Sequence, residues 1–177
     1  MTATTATATA TAPASFDDFK RDRAAVLAAC APLVARIALK ALKVNKTLSD
    51  ETVCFSAVVL LDGAPVADAS NRGHGGGTIV HFQSDAVATS VLGSFKALAG
   101  PTAPALYFGF DDLIDEVVAA QSEDADWRKF ATRWNKKGWT CVRLVGAYGR
   151  VFSRDATEVA AYVHTLTAKG ETVLDTL

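Results

Sequence analysis

The run Thr52-Val53-Cys54-Phe55-Ser56-Ala57-Val58-Val59-Leu60-Leu61-Asp62-Gly63-Ala64-Pro65-Val66-Ala67-Asp68-Ala69-Ser70, continued by Asn71-Arg72-Gly73-His74-Gly75-Gly76-Gly77-Thr78-Ile79-Val80-His81-Phe82, decides the fold. Thr52 to Leu61 is β-branched and apolar, which predicts a strand. Asp62-Gly63 is a tight hairpin signal. Ala64 to Ser70 is then the return strand, and Pro65 near its start suits an edge or a strand beginning. Thr78 to Phe82 reads as a further strand, with Thr78, Val80 and Phe82 on one side and Ile79 and His81 on the other. Upstream, Ile37, Leu39 and Ala41 alternate with Ala38, Lys40 and Leu42 in a run closing at Val44, and Asn45 to Glu51 is a polar loop. The sum is a four-stranded antiparallel meander with short connections.

Four of the twelve glycines fall within Gly73 to Gly77. Glycine reaches positive φ without penalty but costs conformational entropy on folding, so such density needs a reason. One reason is a wide turn or bulge between strands. The other is a backbone kept bare for a ligand, which makes Asn71, Arg72, Gly73, His74, Gly75, Gly76, Gly77 and Thr78 the candidate ligand-binding stretch. Neither phosphate-binding glycine motif fits. No Lys follows Gly77, and a strand rather than a helix follows the cluster.

The flanking segments read as helices. Ser15 with Asp18 forms a capping pattern opening the first helix, which Pro32 should end near Ala31. Ser84 caps a helix to about Leu98, with Val87, Val91, Phe95 and Leu98 on one stripe, and Gly100-Pro101 stops it. Thr102 to Phe108 is a loop. Phe110 to Ala120 is a helix with Leu113, Ile114, Val117 and Val118 inward. Ser122 opens another, with Trp127, Phe130, Ala131 and Trp134 inward, ending at Lys136-Lys137-Gly138. Trp139 to Val145 and Arg150 to Ser153 form a hairpin around Gly146-Ala147-Tyr148-Gly149. Asp155 with Glu158 opens a last helix ending near Gly170. The expected fold class is α+β: the meander plus a C-terminal hairpin, covered by about five helices.

At 177 residues, half of them hydrophobic, the chain suits one globular domain, expected over residues 15–177. Residues 1–14 are almost only Thr and Ala and read as a disordered low-complexity tail, lacking the pattern of a secretory signal. Cys30, Cys54 and Cys141 lie far apart without metal-ligand spacing, which suits reduced thiols in a cytoplasmic protein. No apolar run reaches membrane-spanning length. No cofactor, metal or catalytic residue is assigned.

Three constellations invite chemistry. His74 lies in the glycine stretch, His81 seven residues on, and His164 in the last helix. Zinc would need three or four convergent ligands, and local spacing supplies none even with Asp68. His164-Thr165-Leu166 is half of a two-histidine phosphoesterase signature without its second half. Asp111 with Asp115 and Asp112 with Glu116 are i,i+4 acid pairs, readable as a solvated helix face, a cation site or a dock for a basic partner. The third constellation is basic. From Arg128 to Arg154 every charged residue is positive: Arg128, Lys129, Arg133, Lys136, Lys137, Arg143, Arg150 and Arg154. Trp139 and Tyr148 are interleaved as candidate exposed rings. Cations neutralise phosphates and aromatics stack on unpaired bases, so these ten residues form the candidate nucleic-acid-binding set. A net charge of −1 conceals this asymmetry.

The segment Thr47-Leu48-Ser49-Asp50-Glu51-Thr52 through Phe55, then Asp62-Gly63, then Asn71 to Thr78, resembles small uncharacterised proteins of bacteriophages and mobile elements. They share a strand–Asp-Gly–strand–Gly-His-Gly-Gly arrangement. The similarity spans roughly residues 42–82 and extends to Asp111-Asp112-Leu113-Ile114-Asp115-Glu116. The N-terminal tail and the helix before Pro32 depart from that pattern. The resemblance implies an accessory protein in a bacterial host and carries over no catalytic residue. The leading expectation is a non-enzymatic protein binding nucleic acid or another polyanion through the basic segment. The alternatives are an interaction module inhibiting a host or defence enzyme, and a nucleotide-binding or hydrolytic enzyme using His74.

Overall fold

The computed structural model describes residues 15–144, 150–153, 156–168 and 173–176. The expected tail at 1–14, the turn at Gly146–Gly149, the cap at Asp155 and the helix end at Gly170 lie outside the described residues. The chain divides into two compact units, the first ending at Ala120 and the second beginning at Gln121.

The first unit is an antiparallel sheet packed against helices, the α+β architecture expected from the pattern. Helix α1 (Phe16–Val34) is capped by Ser15, whose Oγ accepts from the Asp18 amide at 3.1 Å. Strands β1 (Ile37–Val44), β2 (Phe55–Leu61), β3 (Ala64–Asn71) and β4 (Ile79–Phe82) form the meander in sequential order. Helices α2 (Asp85–Ala99) and α3 (Thr102–Ala105) and the start of α4 (Phe110–Asn135) follow. The core joins Val26, Cys30 and Leu33 of α1, the inner residues of β1 to β3, Val91 and Phe95 of α2, and Leu113, Ile114, Val117 and Val118 of α4.

The β1–β2–β3 register is set locally. Asp62 (φ 51°) and Gly63 (φ 81°) both take positive φ, the signature of a type I′ hairpin. Arg36 grips the Asp62 carboxylate with Nε at 3.0 Å and a terminal nitrogen at 2.6 Å. The Asp62 amide donates back to the Arg36 carbonyl at 3.0 Å.

Two bulges then correct the strand faces. Simple alternation in β1 would turn Ala41 and Lys43 inward. Instead Ala41 and Leu42 stand together opposite Ala57, between the pairs Lys40–Val58 and Lys43–Ser56. Ala41 takes φ 54°, and beyond it the inner set becomes Leu42 and Val44. In β3 the extra residue is Val66, between Pro65–Leu60 and Ala67–Val59. Val66 and Ala67 are thereby both buried, and the bulge sits beside the proline that has no amide to offer.

Three expectations are corrected. Helix α1 runs through Pro32 to Val34 rather than ending at Ala31. Pro32 removes one backbone donor in the last turn, but Ala35 N–H still closes on Ala31 at 3.0 Å and Leu33 is buried in the core. The helices expected on either side of Ser122 are one 26-residue helix. Ala119-Ala120-Gln121 and Glu123 are strong helix formers, and serine caps only where the preceding backbone leaves helical dihedrals. Pro104 lies in the short helix α3 rather than in a plain loop.

In the second unit, β5 (Thr140–Leu144) and β6 (Arg150–Ser153) pair antiparallel as the expected hairpin. A strand absent from that reading, β7 (Val173–Thr176), follows α5 (Ala156–Ala168) and pairs with the other edge of β5. The hairpin is therefore a three-stranded sheet in the order β6-β5-β7. Its small core holds Trp127 and Ala131 of α4 and Cys141 of β5. Among the described residues no helix is long and apolar enough to cross a membrane.

The β1 bulge makes a sign-sensitive prediction. A left-handed non-glycine residue carries about 1–2 kcal/mol of strain, so Ala41→Gly should hold or raise stability, whereas Ala38→Gly, exposed on the same strand, should lower it by about 0.5–1 kcal/mol. Urea unfolding of both variants checks this, and equal losses would refute the bulge.

Candidate functional site

The glycine stretch is built around one side chain. Asn71, at the end of β3, is only 5 % exposed. Its Oδ1 accepts from Thr52 Oγ1 at 2.9 Å and from the Gly73 amide at 2.8 Å. Its Nδ2 donates to the Gly76 carbonyl at 2.9 Å and to Thr78 Oγ1 at 3.2 Å. Two acceptor and two donor positions are all that an amide offers, so Asn71 is fully satisfied.

Residues 45–54 fold onto the same stretch. The Gly73 carbonyl accepts from the amides of Asp50 and Glu51 at 3.0 and 3.1 Å. Asn45 Oδ1 accepts from the Thr47 and Leu48 amides, and Ser49 Oγ bridges the Asn45 carbonyl and the Cys54 amide. The β1–β2 and β3–β4 connections are thus one hydrogen-bonded layer.

The four glycines divide into two kinds. Gly73 (φ 85°) and Gly75 (φ 79°) take left-handed backbone. A Cβ on Gly73 would lie 2.0 Å from the Leu48 carbonyl oxygen, and one on Gly75 would lie 2.0 Å from Glu51 Oε2. These two are structural. A Cβ on Gly76 would meet nothing within 4 Å, and one on Gly77 only Asp111 Oδ2 at 3.9 Å. Internal packing does not require glycine at either position.

Thr78 carries the network to α4. It is 7 % exposed, and its hydroxyl donates to Asp115 Oδ1 at 2.5 Å. Burial pushes the Asp115 carboxyl up, the Thr78 bond pulls it down, and the charges of Asp112, Asp111 and Glu116 push it up further, with a net upward shift. The rest of the acidic face is also engaged. Asp112 Oδ2 accepts from the Gly109 amide at 2.7 Å, which caps α4. Arg23 of α1 donates to Glu116 at 2.6 Å, approaches Asp112 at 3.9 Å and lies over the Phe108 ring at 4.9 Å. Arg23 carries no sequence signal for this role, because Glu116 is 93 positions away.

The histidines do not assemble. His74 and His81 are both exposed, and His81 pairs in register with Asp68 on the outer face of the sheet. His164 is exposed on α5. Among the described residues no group of three His, Cys, Asp or Glu side chains is placed to hold a metal ion. Cys30 and Cys141 are buried free thiols whose burial raises their pKa.

The basic set falls in two parts. Arg128, Lys129 and Arg133 on the C-terminal half of α4 and Lys136 and Lys137 in the turn that follows are exposed and, with Thr132, line a surface groove of about 620 Å³. They lie opposite the buried Trp127 and Ala131. Trp134 is half-buried, covered by Lys137 Nζ at 5.0 Å and met edge-on by Trp139 at 5.6 Å. Trp139 is thus half-buried rather than a fully open ring. Arg143 and Arg150 are register partners on β5 and β6. Tyr148 and Arg154 lie outside the described residues.

Two predictions follow from this geometry. Gly73→Ala should destabilise by about 3 kcal/mol or more, since the new methyl must displace backbone, while Gly76→Ala should fall within about 0.5 kcal/mol of the parent; denaturant midpoints separate the cases. The folded chain also binds the Asp115 proton more tightly than the unfolded chain does. The contribution of Asp115 to stability is therefore fully present below the ordinary value of 3.8 and is lost as pH rises through the raised folded value. Asp115→Asn should remove that decline, so the stability difference between parent and variant should shift toward the variant across this window and stay flat above it. A difference constant with pH would contradict the raised carboxyl. Compared with family models, curated proteins and solved structures, the chain matches none.

Proposed function

We propose that this chain is a non-enzymatic accessory protein, of the bacteriophage or mobile-element kind it resembles, that binds nucleic acid or another polyanion in the host cytoplasm. The contact is the cationic face of α4. The observation that carries the reading is a cluster of five exposed cations between residues 128 and 137. Arg21, Arg23 and Arg36 are each held by a carboxylate at 3.1 Å or less. Among the described residues, none of Arg128, Lys129, Arg133, Lys136 and Lys137 is held in an ion pair, and all are exposed along the end of α4 and the turn that follows it.

Five cations fall within ten residues, 128–137, of which 128–135 are helical and span about 10 Å at 1.5 Å rise per residue. Confining that much charge costs repulsion which a phosphate backbone relieves by releasing its condensed counterions. Lys129 and Arg133 stand four residues apart on one ridge with Arg128 beside it, and Lys136 and Lys137 follow in the turn that closes the helix. The Trp134–Trp139 pair at the end of the ridge adds an aromatic edge suited to an unpaired base. The acidic face of α4 favours a partner less, because Asp112, Asp115 and Glu116 are already engaged within the first unit.

A salt series of binding to labelled single-stranded nucleic acid tests the reading. If all five cations contact phosphates, log K should fall against log salt with a slope of about −3.5. Replacing Lys129, Arg133 and Lys136 together by Gln should reduce the slope by about 2. No binding at low salt, or an unchanged slope in the triple variant, would sink the proposal.

A further inference from the structure

We infer that the cleft between β4, α2 and the 103–111 segment binds a small organic amine, with its apolar body against the phenylalanine floor and its ammonium at Asp111. This goes beyond polyanion binding and uses different residues. The cleft has a volume of about 490 Å³, within the roughly 300–1,000 Å³ of small-molecule sites. Its floor is Val80, Phe82, Leu92, Phe95, Phe108 and Phe110. Phe95 is central, 6.3 Å from Phe108 and 6.2 Å from Phe110, and Phe82 lies 5.8 Å from Phe110. Ala99, Gly100 and Ala103 line the remaining wall. Gly100 is the C-cap of α2 at φ 66°, and Ala99 and Ala103 also belong to the core, so the wall is part of the fold itself.

Charge selects the occupant. The cleft is lined by two charged residues, Lys96 and Asp111. Lys96 is exposed on a long stem, which carries its ammonium to water. Asp111 is half-buried on a short stem fixed in the first turn of α4. Among the described residues its carboxylate has neither an ion pair nor a hydrogen bond. Asp112, Asp115 and Glu116 neighbour it on the same turns of α4, and Arg23 pairs with Glu116 and approaches Asp112 rather than Asp111. The field at this end of the cleft therefore favours a cation and disfavours a carboxylate.

The two glycines without a packing role fit the same reading. A Cβ added to Gly77 would lie 3.9 Å from Asp111 Oδ2, and one added to Gly76 would meet nothing within 4 Å. A side chain at 77 would stand over the carboxylate and narrow the approach of an ammonium group.

Calorimetric titration of the full chain with phenylbutylamine, phenylbutanol and phenylbutyrate, which share one apolar body, tests the inference. The amine should bind at least about tenfold more tightly than the alcohol, and the carboxylate most weakly. Asp111→Asn should bring the amine to the affinity of the alcohol without changing the alcohol. Gly77→Val, at an open position with ordinary φ, should weaken the amine selectively. Phenylbutyrate binding as tightly as the amine, an amine preference that survives Asp111→Asn, or no binding of any probe at millimolar concentration would each overturn the inference.

Discussion

The buried amide of Asn71 is the constraint on which the first unit depends. An amide removed from water must satisfy both ends, and the four partners available to Asn71 lie on Thr52, Gly73, Gly76 and Thr78. Meeting them fixes where the β1–β2 connection lies, how the glycine stretch turns and where β4 begins. Thr78 then passes the constraint to Asp115, so the start of α4 is referenced to the same side chain. One residue type at one position couples two loops, a sheet and a helix, because leaving any of its bonds unmade costs about 1–3 kcal/mol.

The sheet around it is a compromise between pattern and burial. Strict alternation would place Lys43 in the core and Leu42 and Val44 outside it. One extra residue at Ala41 reverses the parity, and its left-handed strain is offset by burying Leu42 and Val44. Val66 performs the same correction on β3 beside Pro65. The outer face is left with the row Lys40, Val58, Asp68 and His81, which places a cation, a carboxylate and an imidazole on one exposed line. His81 is accounted for by this surface row and not by the glycine stretch.

The two units use charge differently. In the first, three arginines are paired with carboxylates: Arg21 within α1, Arg36 at the hairpin it pins, and Arg23 at the acidic turn of α4. In the second, the described cations of α4 face solvent above a small aromatic core of Trp127, Phe130 and Trp134. The same helix thus begins acidic and ends basic, an arrangement that also suits its macrodipole at both ends.

Local chemistry was legible in the sequence. The Asp62-Gly63 turn, the Ser15 and Ser84 caps, the four strands and the division of Thr78, Val80 and Phe82 from Ile79 and His81 all follow from residues within a few positions of one another. The basic character of residues 128–154 was equally plain, because charge is counted and not folded. Tertiary structure decided the rest. Pro32 stays helical because Leu33 is buried, and Ser122 stays helical because nothing nearby releases the backbone. Strand β7 exists because β5 offers it an unpaired edge. The backbone contact that excludes a side chain at Gly73 comes from Leu48, more than twenty positions away, and the partners of Arg23 and Thr78 are more distant still. Periodicity and capping report only on neighbours along the chain, whereas a buried hydrogen bond or a cleft is defined by groups that meet only after folding.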